Sequence, residues 1–185
     1  MKPIILDLCG GTGAWSRPWA ESGGYDVRVI TLPDYDVRTY QPPKNVYGIL
    51  AAPPCTMFAV SGNRWKRTKE QMYEAYAVLG ACIQIIKDCQ WHFWALENPI
   101  GKLNDILGKP VMYFNPCDFG DPWTKKTCLW GVFNKPDTNP VEPTEGSKMW
   151  LLGPTKDRAG KRSITPPGFA RAFFEANRIR ETPKR

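Results

Sequence analysis

Short apolar runs that stop at turn residues alternate with longer amphipathic stretches along most of this 185-residue chain, the pattern of strands feeding helices. Residues 2 to 6 run apolar and β-branched into Asp7, then break at Cys9-Gly10-Gly11-Thr12-Gly13. Trp15 and a short helix over 16–22, closed by Gly23-Gly24, follow. Residues 25 to 30 alternate and predict a second strand, and residues 46 to 52 a buried third that ends at Pro53-Pro54-Cys55. Thr68-Lys69-Glu70-Gln71 is a capping box, behind which Met72, Ala75, Tyr76, Leu79, Cys82, Ile83 and Ile86 recur at helical spacing. The spacing puts Cys82, with Cys89 just beyond, in the core or at its edge. Residues 93 to 96 predict a strand ending in a turn that carries Glu97, Asn98 and Pro99. Residues 111 to 114 and 127 to 130 predict two more.

From 131 to 162 the texture changes. Pro136, Pro140, Pro143 and Pro154 interrupt a stretch with few periodic apolar positions, which predicts a long loop or a small appendage. Ser163-Ile164-Thr165-Pro166-Pro167 then opens a last helix with Phe169, Ala170, Phe173 and Phe174 on one face. Arg178, Arg180, Lys184 and Arg185 end the chain as a frayed tail.

Composition narrows the picture. An apolar content of 42% with eight Trp, seven Tyr and eight Phe excludes a disordered chain, and the length suits one domain, or one domain with an appendage. Neither a signal peptide nor a window apolar enough to span a bilayer is visible, so a soluble, cytoplasmic protein is expected. The net charge of +7 favours an anionic partner, nucleic acid first, although a merely solvated basic surface gives the same total. Six cysteines form no C-x-x-C pair and the single His92 has no partner at ligand spacing, so neither a metal site nor a disulfide framework is expected.

Three stretches carry candidate chemistry. Glycines between a strand and a helix let backbone N–H groups approach a nucleotide-like ligand, and they also occur in ordinary connections. The second strand ends at Thr31-Leu32-Pro33, with no acid before Asp34; Asp36-Val37-Arg38 is either an adenine contact or a turn. Cys55 stands at the carboxyl end of a strand, where open α/β sheets bind ligands, after two prolines that fix its backbone. A small buried thiol is the alternative. Ser61-Gly62-Asn63-Arg64-Trp65-Lys66-Arg67 mixes cations with an indole, as a loop that grips phosphates and stacks on a base would, or as a solvated lead into the helix. Glu97 directly after an apolar strand needs a partner or a function. Lys156, Arg158, Lys161 and Arg162 are either phosphate-facing or solvated.

Taken in order, these residues resemble the DNA cytosine-5 methyltransferase family. Asp7-Leu8-Cys9-Gly10-Gly11-Thr12-Gly13 is similar to that family's cofactor motif, Pro53-Pro54-Cys55 to its Pro-Cys nucleophile motif, and Glu97-Asn98-Pro99 to its Glu-Asn-Val motif. Residues 119 to 127 are similar to its Tyr-Gly-x-Pro-Gln-x-Arg-x-Arg segment, and residues 163 to 174 stand where its last motif completes the cofactor site. Here Lys125 and Thr127 replace the paired arginines, Trp123 the glutamine and Pro99 the valine, and only residues 131–162 occupy the place of the target-recognition domain.

The resemblance implies a Rossmann-like α/β fold, a mostly parallel sheet flanked by helices, in one catalytic domain over 1–185. It implies transfer of a methyl group from S-adenosylmethionine to C5 of cytosine in DNA, with Cys55 adding at C6, Glu97 bonding N3 and Lys125 holding the base. Cofactor contacts are then expected from the turn, Asp7, Cys9, Gly10, Gly11, Thr12 and Gly13, with Trp15 beside it. Thr31, Asp36, Val37, Pro53 and Ser163 are the further cofactor candidates. Ser61, Asn63, Arg64, Trp65, Lys66, Arg67 and Lys126 would face the nucleic acid. Competing readings keep C5 chemistry on RNA, single-stranded DNA or a nucleotide, use a modified cofactor, or make the chain a silent nucleic-acid binder. Amino-methylation fits less well, because Ala52 and Cys55 replace the polar and aromatic residues flanking that chemistry's two prolines.

Overall fold

In the computed structural model, which describes residues 1–60, 66–148 and 158–180, the apolar runs pair into one six-stranded sheet. Its strands are β1 (Ile4–Leu8), β2 (Asp26–Ile30), β3 (Gly48–Ala51), β4 (Phe93–Pro99), β5 (Met112–Phe114) and β6 (Thr127–Val132), in the order β2-β1-β3-β4-β6-β5. The first four in that order are parallel, and β6 runs antiparallel to both β4 and β5. Among the described residues the helices are α1 (Arg17–Glu21), α2 (Lys69–Asp88), α3 (Leu103–Leu107), α4 (Arg158–Ser163) and α5 (Pro167–Asn177). The expected class, a mostly parallel sheet flanked by helices, is the observed one.

Alternate side chains of a strand face opposite sides of the sheet, and here both sides are covered. Leu6, Leu8, Ile49, Ala51 and Leu96 pack with Ala75, Leu79, Cys82, Ile85 and Ile86 of α2. The other face sets Ile5, Leu50, Phe93, Ala95 and Leu129 against Trp15, Trp19 and the phenylalanines of α5. There Phe169 lies flat on Phe114 with ring centroids 3.9 Å apart and meets Phe119 nearly edge-on. Gly48 is required at its position in β3, because a Cβ would fall 2.1 Å from the Phe93 ring.

The capping box forms as expected: the Gln71 N–H donates to Thr68 Oγ1 at 3.2 Å and the Thr68 N–H to Gln71 Oε1 at 3.1 Å. Cys82 and Cys89 are buried. Three expectations are corrected. Glu97, Asn98 and Pro99 do not form a turn; they continue β4, because β6 pairs with them at Leu129, Cys128 and Thr127. Residues 131 and 132 belong to β6, and the described part of the following stretch is a loop. Its Asn139, Val141 and Glu145 N–H groups donate to the carbonyls of Asp118, Cys117 and Pro122 at 2.8–2.9 Å, which lays it along the turn at 116–122. Ser163 ends α4 rather than opening the last helix, which starts at Pro167, where a missing N–H costs nothing. No helix among the described residues is long and apolar enough to cross a membrane.

Candidate active site

Leu8, Ala51 and Leu96 are register partners across β1, β3 and β4, so whatever follows each of them emerges on one edge of the sheet. That edge is the carboxyl end of three parallel strands, and the strand order reverses between β1 and β3, the position at which such sheets open a crevice. The glycine turn, the double proline with Cys55, and Glu97 therefore meet in space although they are far apart in sequence.

The cysteine loop is fastened from below. Pro53 and Pro54 carry the chain off β3 into a single helical turn, Cys55–Met57, in which the Phe58 and Ala59 N–H groups donate to the Cys55 carbonyl at 2.9 and 2.8 Å. Asn98, fully buried in β4, donates its Nδ2 to the Pro53 carbonyl at 2.9 Å. The Lys102 N–H donates to the Phe58 carbonyl (2.8 Å) and the Val60 N–H to the Ile100 carbonyl (3.1 Å). Between these two bonds sits Gly101, where a Cβ would lie 1.9 Å from the Phe58 carbonyl oxygen. Arg67 donates to the carbonyls of Met57 and Ala59, closing the loop from its far side.

Cys55 opens on a cavity of about 330 Å³ whose other walls include Pro99, Ile100, Asn115, Lys125, Lys126 and Arg162. Burial raises the Cys55 thiol pKa and the Glu97 carboxylate raises it further, while Lys125 and Arg162 pull it down. Burial also raises Glu97, against the pull of Lys125. Cys55 thus feels the carboxyl and both cations, and Glu97 feels Lys125. Lys125 is held by donating to the Arg162 carbonyl at 2.9 Å, which ties β6's approach to α4. Lys126, exposed beside it, stands over the Tyr113 ring at 5.6 Å.

The second half of the edge is the turn after β1. Asp7 is buried, accepts from the Ser16 hydroxyl at 2.6 Å through Oδ2, and leaves Oδ1 without a partner. Burial, only partly offset by Ser16, raises its pKa to about 6. Gly10 passes directly over this carboxyl: a Cβ there would fall 2.4 Å from Asp7 Cγ. Cys9 and Gly11 adopt left-handed backbone, φ 58° and 55°, and Gly11 faces open space. The Gly13 N–H closes the turn onto the Gly10 carbonyl at 2.9 Å.

With this geometry in place, the chain can be compared with known proteins. It matches no protein-family model and no curated protein. Among solved structures it is similar to a prophage-encoded Escherichia coli protein assigned as a DNA modification methyltransferase, with a TM-score of 0.53, 16% identity, and coverage of 76% of this chain and 53% of that one. The fold is Rossmann-like. It also aligns with an Entamoeba histolytica methyltransferase at a TM-score of 0.43 and 9% identity, covering 85% of this chain and 62% of that one. The chain thus spans little more than half the length of these neighbours.

The remaining candidates scatter. Trp15 is buried in the aromatic core against Phe169 and Phe173 rather than lining the edge. Val37 is likewise buried. The Asp36 carboxylate is taken by the Arg38 guanidinium at 2.6 Å, and Thr31 follows the end of β2, half-buried. Pro53 is buried beneath Cys55 as the acceptor of Asn98. The exposed Ser163 hydroxyl is bonded to the Gly160 carbonyl at 2.7 Å. Ser61, Asn63, Arg64 and Trp65 lie outside the described residues; Lys66 is exposed, and Arg67 braces the cysteine loop instead of extending from it. Asn98, Gly101 and Arg162 are the site residues that sequence reasoning missed. Asn98 carried a signal within Glu97-Asn98-Pro99 and Arg162 as part of the basic run whose facing the sequence left open, while Gly101 carried none.

Proposed function

We propose that the chain is an S-adenosylmethionine-dependent methyltransferase acting on C5 of cytosine in DNA, as one catalytic domain with residues 131–162 in place of a recognition module. The observation that carries this reading is that Cys55 and Lys125 line one cavity with the Glu97 carboxyl acting electrostatically on Cys55, supported by the fold and by the DNA-modifying assignment of the Escherichia coli neighbour. The basic surface suits a polyanion.

Cytosine N3 is a hydrogen-bond acceptor, so its partner has to be a donor. Burial favours the protonated form of Glu97, the form able to donate. Cys55 adds through sulfur to C6 as its thiolate, a form that burial and Glu97 oppose and that Lys125 and Arg162 favour. As the C6–S bond forms, N3 takes the Glu97 proton and C5 becomes an enamine carbon. After transfer, water takes the C5 proton, the thiolate leaves C6, and N3 returns its proton to Glu97, which restores the ring. Lys126 and Arg162, cations at the cavity wall, are placed to take a flanking phosphate. A base within a duplex has to swing out to reach Cys55, at a cost of a few kcal/mol.

The turn after β1 fits the cofactor: the Gly10 path over the buried Asp7 carboxyl admits no side chain, Asp7 Oδ1 is unpartnered, and Gly11 is open above. When bound there, S-adenosylmethionine supplies an electrophilic methyl group. Asp7, Cys9, Gly10, Gly11, Thr12 and Gly13 would hold it. Asp36 would have to give up Arg38 to join them.

DNA carrying 5-fluorocytosine tests the mechanism, because fluorine cannot leave as a proton does. Incubated with the cofactor, the protein should become linked to such DNA in a form that survives denaturant, and Cys55→Ala should not. Absence of any adduct on duplex or single-stranded DNA or on RNA, or an adduct with Cys55→Ala, refutes it. An adduct on RNA alone would move the reading to that substrate.

A further inference from the structure

The sulfurs of Cys9 and Cys82 stand 3.9 Å apart although 73 residues separate them in sequence. Cys9 is the first residue of the turn after β1 and is half-exposed; Cys82 is fully buried on the inner face of α2. The remaining four cysteines have no thiol partner among the described residues. We propose that Cys9 and Cys82 are an oxidisable dithiol that takes a peroxide and closes to a disulfide, clasping the glycine turn to α2.

The two thiols are unlike in the way such chemistry needs. Either thiol can donate to the other across this contact, and the contact favours the Cys9 thiolate against the opposing effects of burial and of the Asp7 and Asp36 carboxylates. Cys82 is pushed the other way. Cys82 is buried and Cys9 is only half-buried, so Cys9 is the sulfur a peroxide reaches and the attacking one. Its thiolate attacks the O–O bond, taking one oxygen as sulfenic acid while the other leaves as hydroxide and gains a proton to become water. The Cys82 sulfur then attacks the Cys9 sulfur, loses its proton and expels the second oxygen as water. Two thiols are oxidised and one peroxide is reduced to two waters.

Closure draws the sulfurs from 3.9 Å to about 2.05 Å. Cys82 is fixed by core packing, so the movement falls on Cys9 and the glycines beside it. At Gly11 no neighbouring atom lies within 4 Å of the Cβ position, leaving that part of the turn room to shift.

The test is independent of the proposed methyl transfer. The full chain is exposed to a slight excess of hydrogen peroxide, blocked with an alkylating agent under denaturing conditions, digested and mapped by mass. A linked pair of peptides carrying Cys9 and Cys82, short of two hydrogens and separated by dithiothreitol, is the expected product. It should form at least ~tenfold faster than oxidation of half-exposed Cys117, whose pKa burial raises. Cys9→Ser, a change at a half-exposed site, should abolish the link and leave Cys82 fully alkylatable. Cys82→Ala should stop Cys9 at the sulfenic or more oxidised acids. Linkage of Cys9 to any other cysteine, sulfinic acid at Cys9 with Cys82 still free in the wild type, or oxidation no faster than at Cys117 would overturn the proposal.

Discussion

Replacing Asp7 with asparagine should make the protein more stable at neutral pH, and the gain should shrink as the solution is acidified. Asp7 is 1% exposed, and only one of its two oxygens has a donor, the Ser16 hydroxyl. Its pKa stands at about 6 in the folded chain against 3.8 for the free group. A carboxyl raised in this way favours folding while it is protonated. That contribution is complete below pH 3.8 and is lost as pH rises through 6, since the unfolded chain gives up the proton first. The gap of about two units, at 1.36 kcal/mol per unit, amounts to about 3 kcal/mol, of which about 2 kcal/mol falls between about pH 4.5 and pH 7. Asparagine keeps an oxygen for Ser16 and exchanges an unpartnered acceptor for an unpartnered donor, so its main effect is removal of the charge. Urea unfolding of both proteins, followed by tryptophan fluorescence across this range, gives the difference directly. It should grow with pH by about 2 kcal/mol. A difference that stays constant, or that falls as pH rises, would show that Asp7 does not carry a desolvated charge. If the turn holds the cofactor, the same substitution should weaken cofactor binding while stabilising the empty protein, an exchange common at functional sites.

Other substitutions probe what supports the cavity. Gly101→Ala, which drives a Cβ into the Phe58 carbonyl, should cost about 2–3 kcal/mol in urea unfolding. It should also slow trapping on 5-fluorocytosine DNA, because the loop behind Cys55 has to move. Asn98→Ala leaves the Pro53 carbonyl without its donor and should cost about 1–3 kcal/mol, and Asn98→Asp, whose carboxylate can only accept and would face the same carbonyl, should slow trapping at least as much in the same assay. Phe169→Ala empties the stack against Phe114 and should cost roughly 3–5 kcal/mol in the thermal or urea midpoint, with Phe169→Leu costing less.

The elements were legible where the pattern was local. Apolar runs ending in glycine or proline became β1 and β3, and the Thr68–Gln71 capping box marked the start of α2 to the residue. The pattern failed at Glu97-Asn98-Pro99, which are polar or lack a donor and still complete β4. Their strand character comes from pairing with residues 127–129, and no local signal encodes a partner some thirty residues away. The burial of Trp15 and Val37 was not legible for a related reason. Next to a candidate ligand turn an aromatic or a branched side chain suits a pocket wall and a core position equally, and only the packing of α5 and of the sheet assigned both to the core.

The same division holds at the site. Sequence alone determined which chemistry is available: a cysteine after two prolines, an acid after an apolar strand, a glycine turn, and an excess of positive charge. These are properties of residue type and near neighbours. The tertiary structure alone decided that the three stretches share one edge, because three parallel strands bring their carboxyl ends together in register. It also decided that Arg162 faces the cavity while Arg67 turns back to brace the loop, and that Cys9 lies against Cys82. Direction and proximity are set by the whole sheet and its covering helices, and a one-dimensional pattern does not contain them.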